Sequence, residues 1–539
     1  MDIEKTGKSQ TNQASNTFKS IDIEAKVNQA VVCHRSGQLQ QAEQICQQIL
    51  DIDPQNAEVL NLFGLIACQA GKYEIAVDLI NHALDISSNQ PLFLNNLGFV
   101  LKEQGKIAEA IAAYSQALDM KPESVEIYNN LGVALYKQEK YDKAIEAYQK
   151  AIQIQPDYAA AYNNLGIAWQ KQGKLEQAVQ IYNKTLVIRP NYPQAYNNLA
   201  NTLKEQGKLQ EAVQVYRKAI EINSSYIDAH KNLGIALLLQ GDFQGGWQEY
   251  EWRLKSDDLC FANRARTRWD GSSLSGKTIL LYAEQGFGDT IQFIRYVHLL
   301  VKYDTKILVE CQPELLQLFG NIGAIQKTIA VGEPLPKFDV SASLLSLPGI
   351  LGTDLISIPA RIPYLYVKSQ SSTDLEMSSE YKVGIVWAGN QKHPNDNNRS
   401  VELQQFSVLF DVEDCQFFSL QVGNRRDNIM QYSYSNNITD LGVNFSNFFD
   451  TAVAISELDL VISVDTAVAH LAGALGKPIW VLLPFMPDWR WLLEREDTPW
   501  YPTMRLFRQT NTRDWAEVLK KVRLALEKTS MGSKKEDNN

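Results

Sequence analysis

The sequence predicts an α-solenoid followed by an α/β region built of two doubly wound parallel-sheet domains. Two observations carry this. Through the first half, small residues recur every 34 positions: Gly64, Gly98, Gly132, Gly166, Ala200 and Gly234 keep one offset, and Ala76, Ala110, Ala144, Ala178 and Ala212 keep another. From Lys277 the period stops, and short apolar runs alternate with helical segments. A fixed period of this length belongs to stacked helix-turn-helix units. Buried strands alternating with helices belong to parallel sheets covered on both faces.

Residues 1–22 are polar and lack an apolar leader core, so a disordered tail is expected there. About seven repeats follow over 23–260. Each unit pairs two helices. The Gly of the first and the Ala of the second sit where helices approach closely. Gly71, Gly105, Gly173, Gly207 and Gly241 mark the turns, because a left-handed residue ends a helix most easily as glycine. Pro54, Pro122, Pro156 and Pro190 close the units, since proline cannot continue a helix but can open the next. The terminal units are atypical, with Ala30 in the first and Gly245, Gly246 and Trp247 in the last, as the caps of a stack must be. The pattern, clearest in NNLGVALYKQEKYDKAIEAYQKAIQIQP, resembles tetratricopeptide repeats.

The first sheet domain is expected over 275–368. TILLYAEQ ends at GFGD and leads into the helical TIQFIRYVHLLVKY; KILVEC, a helix over PELLQLFG, TIAVGE and FDVSAS follow. The Ser-rich 369–380 reads as a linker. The second domain is expected over 381–528. It comprises YKVGIVWAGN, a helix from Val401, CQFFSLQVG, NITDLG, a helix over DTAVAISEL, LDLVISVDT, the helix AVAHLAGALG and KPIWVLLP. A last helix runs from Thr512 to about Lys528, and 529–539 reads as a second disordered tail. Two such sheets suggest ligands beyond the carboxyl ends of their strands.

Composition excludes several classes. The net charge is −10 and no basic tract occurs, so nucleic acid is not an expected partner. No apolar stretch is long enough for a membrane span. The six cysteines are scattered without CxxC spacing and read as reduced thiols of a cytoplasmic protein, neither a zinc site nor a disulfide frame.

Four motifs fall at strand ends of the second half. In GFGD, Gln285, Gly286 and Gly288 allow close backbone approach and Asp289 opens a helix. The plainer reading makes Asp289 a helix cap. WAGNQKHPNDNNRS offers Asn390, Lys392, His393 and Arg399 in one loop, donors suited to a diphosphate; otherwise it is a solvated polar loop. In SVDTAVAHLAGALGKP, Asp465 and Thr466 end a strand and open a helix, a ready anion site. His470 lies one turn in and reads on its own as a buried, hydrogen-bonded side chain. FMPDWRWLLEREDTPWYP could pack the two domains together or wall a pocket, and packing is the expected reading. A DxD occurs only at Asp51–Asp53, a repeat boundary, and no metal site is expected.

Together these residues resemble a glycosyltransferase of the GT-B type, similar to the family-nine heptosyltransferases, over about 275–510. The resemblance is carried most by DTAVAHLAGALGKP and less by GFGD. It implies a GT-B fold, a metal-independent reaction, and a nucleotide sugar as co-substrate with no other cofactor. Asp289 would be the base, with Gln285, Gly286 and Gly288 on the acceptor side. Asp465, Thr466, Lys392, Arg399, Asn390 and His470 would face the donor. The order of repeats and transferase resembles the protein O-linked N-acetylglucosamine transferases.

Asn96, Asn130, Asn164, Asn198 and Asn232 share one offset in successive units, and Asn61, Asn95, Asn129, Asn163 and Asn197 the offset before it. Amides offer a donor and an acceptor. A stacked row can therefore hold an extended peptide, resembling the asparagine ladder of those transferases, or simply bridge neighbouring units. The expected function is an inverting transfer of sugar from a nucleotide sugar to a polypeptide held by the repeats. Two alternatives stay open: a protein-binding scaffold with a non-catalytic GT-B domain, and a nucleotide-sugar epimerase.

Overall fold

The computed structural model describes residues 23–255, 268–367, 380–431 and 437–536. The expected tail over 1–22, nearly all of the expected linker, and Cys260 lie outside the described residues. By internal contacts the chain divides into two compact units, Met1–Leu203 and Lys204–Asn539.

The first unit is helical. α1 spans residues 23–35. It is followed by α2 (Leu39–Leu50), α3 (Ala57–Gln69), α4 (Tyr73–Ile86), α5 (Pro91–Glu103), α6 (Ile107–Met120), α7 (Val125–Lys137), α8 (Tyr141–Ile154), α9 (Ala159–Lys171), α10 (Leu175–Ile188) and most of α11 (Pro193–Glu205). The 34-residue offsets are explained by packing. The helical glycines Gly98, Gly132 and Gly166 lie against the rings of Tyr114, Tyr148 and Tyr182 in the second helix of their own repeat. A Cβ at Gly98 would come 2.7 Å from Tyr114 Cε1, closer than packed atoms tolerate. The second-helix alanines Ala76, Ala110, Ala144 and Ala178 are fully buried. Turn glycines take positive φ, and one repeat departs from the rule: Glu139 occupies that place with φ 61°. Cys33, Cys46 and Cys68 are buried free thiols, and burial pushes Cys46 up to about 12.

The second unit begins with the end of α11 and the helices α12 (Leu209–Ile222), α13 (Ile227–Gln240) and α14 (Phe243–Tyr250). Seven helix pairs thus stand among the described residues. A four-stranded parallel sheet follows, ordered β3-β2-β1-β4, from β1 (Thr278–Tyr282), β2 (Lys306–Cys311), β3 (Lys327–Ala330) and β4 (Val340–Ser343). Its helices are α15 (Phe287–Phe293), α16 (Val297–Leu300), α17 (Leu316–Phe319) and α18 (Leu347–Ile350). The second sheet has six parallel strands, ordered β10-β9-β8-β5-β6-β7. These are β5 (Tyr381–Val386), β6 (Cys415–Ser419), β7 (Ile438–Asp440), β8 (Leu460–Val464), β9 (Ile479–Leu483) and β10 (Met504–Arg508). Its helices are α19 (Asp396–Arg399), α20 (Leu403–Phe410), α21 (Asn428–Gln431), α22 (Phe448–Ser456), α23 (Ala467–Ala474) and α24 (Trp515–Glu536).

In both sheets the chain starts in the middle, runs to one edge, then returns to the other side of its first strand. The strand order therefore reverses between β1 and β4, and between β5 and β8. Several elements differ from the sequence expectation. The helix after GFGD is broken into α15, α16 and two 3-10 turns. PELLQLFG forms only a 3-10 turn and α17. β10 was not anticipated. α24 starts at Trp515 and continues to Glu536, through most of the segment expected as a tail. Among the described residues no helix is long and apolar enough to cross a membrane. Nor does any group of three or more His, Cys, Asp or Glu among them stand where it could hold a metal ion.

Candidate functional site

Ligands of open α/β sheets bind beyond the carboxyl ends of the strands where strand order reverses. Three loops leave such ends here, 283–286 after β1, 387–395 after β5 and 465–466 after β8, and the loop 484–488 leaves the same end of the neighbouring β9. The structure brings them together. A Cβ on Gly288 would lie 2.9 Å from His470 Cδ2 and 3.6 Å from Ala467 Cα, so the starts of α15 and α23 face one another.

Asp289 stands in the first turn of α15. Its Oδ2 accepts the Gly286 N–H at 3.0 Å, the helix-capping contact. Its Oδ1 accepts from Arg490 Nη2 in an ion pair. Burial pushes the carboxyl above its ordinary range; the Arg490 charge and the Gly286 N–H oppose that, and Asp488 adds to it. Arg490 has only 7% of its side chain exposed. It also donates to Asp488 Oδ1 at 2.8 Å and Gln292 Oε1 at 2.5 Å, and it lies over the rings of Trp489 and Phe293. Sequence reasoning treated the Arg490 segment as packing and missed it. The one available signal was a pair of charges, Asp488 and Arg490, set between tryptophans.

The two glycines of GFGD do different things. Gly288 is required sterically, and what approaches it is the His470 ring, where the sequence reading expected a substrate. At Gly286 a Cβ would meet only Asp289 Oδ2, at 3.4 Å. Gln285 is tied to the last repeat: its Nε2 donates to Tyr250 Oη at 3.0 Å, and its carbonyl accepts from Gln312 Nε2 at 2.8 Å.

In the loop after β5, Lys392 is exposed, and no ion pair holds its ammonium among the described residues. Asn390 is used locally, its Oδ1 taking the Lys392 N–H at 3.0 Å. Arg399 lies on Gly389 and donates to the Asp465 carbonyl at 3.1 Å, so it ties the loop after β5 to the end of β8. Partial burial and Arg399 hold the His393 imidazole below its ordinary range, against the pull of Asp488, Asp396 and Asp289.

Burial and the charge of Asp488 push the Asp465 carboxyl up to about 6, against Arg399 and Arg490. Thr466 is the N-cap of α23, and its hydroxyl pairs with Ser463 Oγ at 3.0 Å in place of capping the helix. The first N–H groups of α23 thus have no side-chain cap. His470 fits the buried, hydrogen-bonded reading. It is buried, bonds Tyr501 Oη through Nδ1 at 2.9 Å and stacks on Trp491. Burial and two arginines hold it well below its ordinary range, so it is neutral.

In the first unit the asparagine rows form a ladder of their own. Nδ2 of Asn96, Asn130, Asn164 and Asn198 donates to Oδ1 of Asn61, Asn95, Asn129 and Asn163, at 3.0, 3.0, 2.9 and 3.0 Å. Each bond joins one repeat to the preceding one. Bridging neighbouring units, one of the two readings open in the sequence, is a contact these amides make. In three of the four bonds a half-buried amide meets a buried one 35 residues back. Asn232 belongs to the second unit.

Comparison with known proteins agrees with the helical half. Models described as tetratricopeptide repeat match residues 34–95, 96–159 and 135–201, and one described as TPR repeat matches 200–241. The N-terminal region is a tetratricopeptide-repeat array. Protein FlbA of Caulobacter vibrioides is 24% identical over 316 residues, which is 52% of this chain and 52% of FlbA, so the match spans about half of that relative's length. Among solved structures, MamA is 28% identical, covering 30% of this chain and 94% of MamA with a TM-score of 0.28. Pseudomonas aeruginosa pilF is 24% identical, covering 37% of this chain and 90% of pilF with a TM-score of 0.33.

Proposed function

We propose that this protein is a metal-independent, inverting glycosyltransferase of the GT-B type whose repeats hold a polypeptide acceptor and whose strand-end cleft takes a nucleotide-sugar donor. The supporting observation is the meeting of the loops after β1, β5 and β8, which flank two points of strand-order reversal, with the loop after the neighbouring β9. This sets Asp289 of the first sheet domain opposite the opening of α23 in the second. In this reading an acceptor hydroxyl attacks the anomeric carbon while the bond from that carbon to the diphosphate oxygen breaks. The diphosphate leaves with the bonding pair, and the hydroxyl proton passes to Asp289. One lone pair on each Asp289 oxygen is used by Gly286 or Arg490, and one remains for the proton. The α23 N-terminus and Lys392 are suited to the departing anion.

The scaffold reading is favoured by a different observation. Asp289, Arg399 and His470 all have partners within the chain, an arrangement that also serves a closed, structural joint. Binding separates the two. Ligands of the folded state raise its apparent stability, so a thermal-shift panel of UDP-, GDP- and ADP-linked sugars should contain at least one that does so. Lys392→Ala should then weaken that ligand by roughly 1.5–3 kcal/mol, the scale of a hydrogen bond to a charged group. Asp289→Asn should keep the affinity and lose about 100-fold or more in turnover. A wild-type protein that binds none of the panel returns the chain to the scaffold reading.

A further inference from the structure

Arg490 has no counterpart in the site read from the sequence, yet it bonds three side chains in the cleft. It leaves the loop after β9, in the second sheet domain, and its ion-pair partner Asp289 belongs to the first. Each of its three nitrogens is committed: Nη2 to Asp289, Nη1 to Asp488 and Nε to Gln292. Its own backbone N–H donates to Asp488 Oδ1 at 3.0 Å, and the flat guanidinium rests on Trp489, 4.4 Å from the ring centre. A fork held on this many sides has one orientation, and it passes that orientation to the carboxylate it grips.

We propose that Arg490 is the positioning residue for Asp289: it fixes the direction and charge of that carboxylate, so the base is complete only when the loop after β9 is seated against α15. This rests on the transferase reading of the cleft. A carboxylate taken out of water without a partner takes up a proton, and a protonated acid cannot accept one. Burial already pushes Asp289 in that direction, Asp488 adds to it, and Arg490 is the largest opposing influence. Asp488 shares the same guanidinium with Asp289, so the two carboxylates compete for one charge.

The test is the pH profile of donor hydrolysis in the full chain, with UDP-N-acetylglucosamine, GDP-mannose and ADP-glucose as probes. Arg490→Gln should leave donor affinity within about threefold. It should lower turnover at neutral pH by about 100-fold, and should move the rising acid limb up by about one pH unit or more. Arg490→Lys keeps the charge and should return the limb to its wild-type position, with turnover only partly restored. Asp488→Asn removes the competitor and should move the limb the other way, to lower pH. A structural role alone would reduce the active fraction equally at every pH and leave the limb in place. That result in Arg490→Gln overturns the proposal while leaving the transferase reading intact. Should Arg490→Gln fail to fold, Asp488→Asn decides: a downward shift supports the proposal and an unmoved limb overturns it. A wild-type protein that hydrolyses none of the probes overturns the transferase reading, and this inference with it.

Discussion

Asp465 ties one ionisation to the stability of the fold. Its carboxyl is pushed up from an ordinary 3.8 to about 6, first by burial and then by Asp488. A group whose folded pKa is raised binds its proton more tightly in the folded state. Its stabilising contribution is therefore complete below about pH 4 and disappears as pH climbs through about 6. Asp465→Asn keeps the shape without the ionisation. It should flatten the fall in stability between about pH 4 and 6.5, by on the order of 1–2 kcal/mol after allowance for partial solvation. Urea denaturation of both proteins across that window measures it, and identical slopes would count against the assignment. The same residue shows what sequence could and could not reveal of the site. Asp289, Lys392 and Asp465 were legible because each follows an apolar strand at a turn. Arg490 lies 201 residues from Asp289, and no local pattern announces an ion pair of that span. His470 was legible in both its readings, and only the position of Tyr501 decides between them.

At the scale of the element, the repeats were the most readable part, because their spacing comes from contacts that recur in every unit. The exception tests the rule. Glu139 stands where the other turns place glycine, at φ 61°. A side chain in the left-handed region is strained, so Glu139→Gly should stabilise the repeats by about 0.5–1 kcal/mol, net of the extra freedom glycine gains when unfolded. The asparagine rows predict the opposite sign. Asn130, Asn164 and Asn198 each bridge to the preceding repeat, and two of the acceptors left behind, Asn129 and Asn163, are buried. Replacing all three by Ala should lower the stability of the array by about 1.5–4 kcal/mol, the sum of three ordinary hydrogen bonds. Thermal melts followed by circular dichroism read both effects. A triple variant as stable as wild type would mean that the amides are exchanged for water without loss. In the sheet domains the buried strands were legible as apolar runs and β10 was not. Its sequence, MRLFR, interrupts the apolar pattern with Arg505 and Arg508, and Arg508 is spent on the carbonyls of Trp491, Leu492 and Arg495.

At the scale of the whole molecule, the repeat boundary and the compact-unit boundary do not coincide. The 34-residue pattern runs to the end of α14, but the contacts divide the chain at Leu203, so the last helices belong with the sheets. Sequence periodicity is blind to this, because it records how repeats resemble one another and not what the last one touches. The join includes the Gln285–Tyr250 bond and the following contacts. Trp247 Nε1 donates to the Thr353 carbonyl at 2.9 Å. Phe243 and Trp247 pack edge-on to Trp489. Arg253 donates through Nε and Nη2 to Glu284 Oε1, at 2.9 and 2.6 Å, with 4% and 1% of the two side chains exposed. Glu284 lies just past the end of β1 and one residue before Gln285, so the last repeat holds the very segment that leads into Asp289. Breaking one side of a buried ion pair strands the other charge. Arg253→Met should therefore destabilise the second unit by about 3–5 kcal/mol, and adding Glu284→Met should recover part of that loss, because the buried Glu284 charge is then no longer stranded and Glu251, which also pairs with Arg253, is partly solvated. Tryptophan fluorescence is the selective readout: of the ten tryptophans only Trp169 precedes Lys204, so the signal reports the second unit. A single variant that unfolds at the wild-type urea concentration, or a double variant no better than the single, would show that the aromatic contacts hold the joint and that the ion pair is incidental to it.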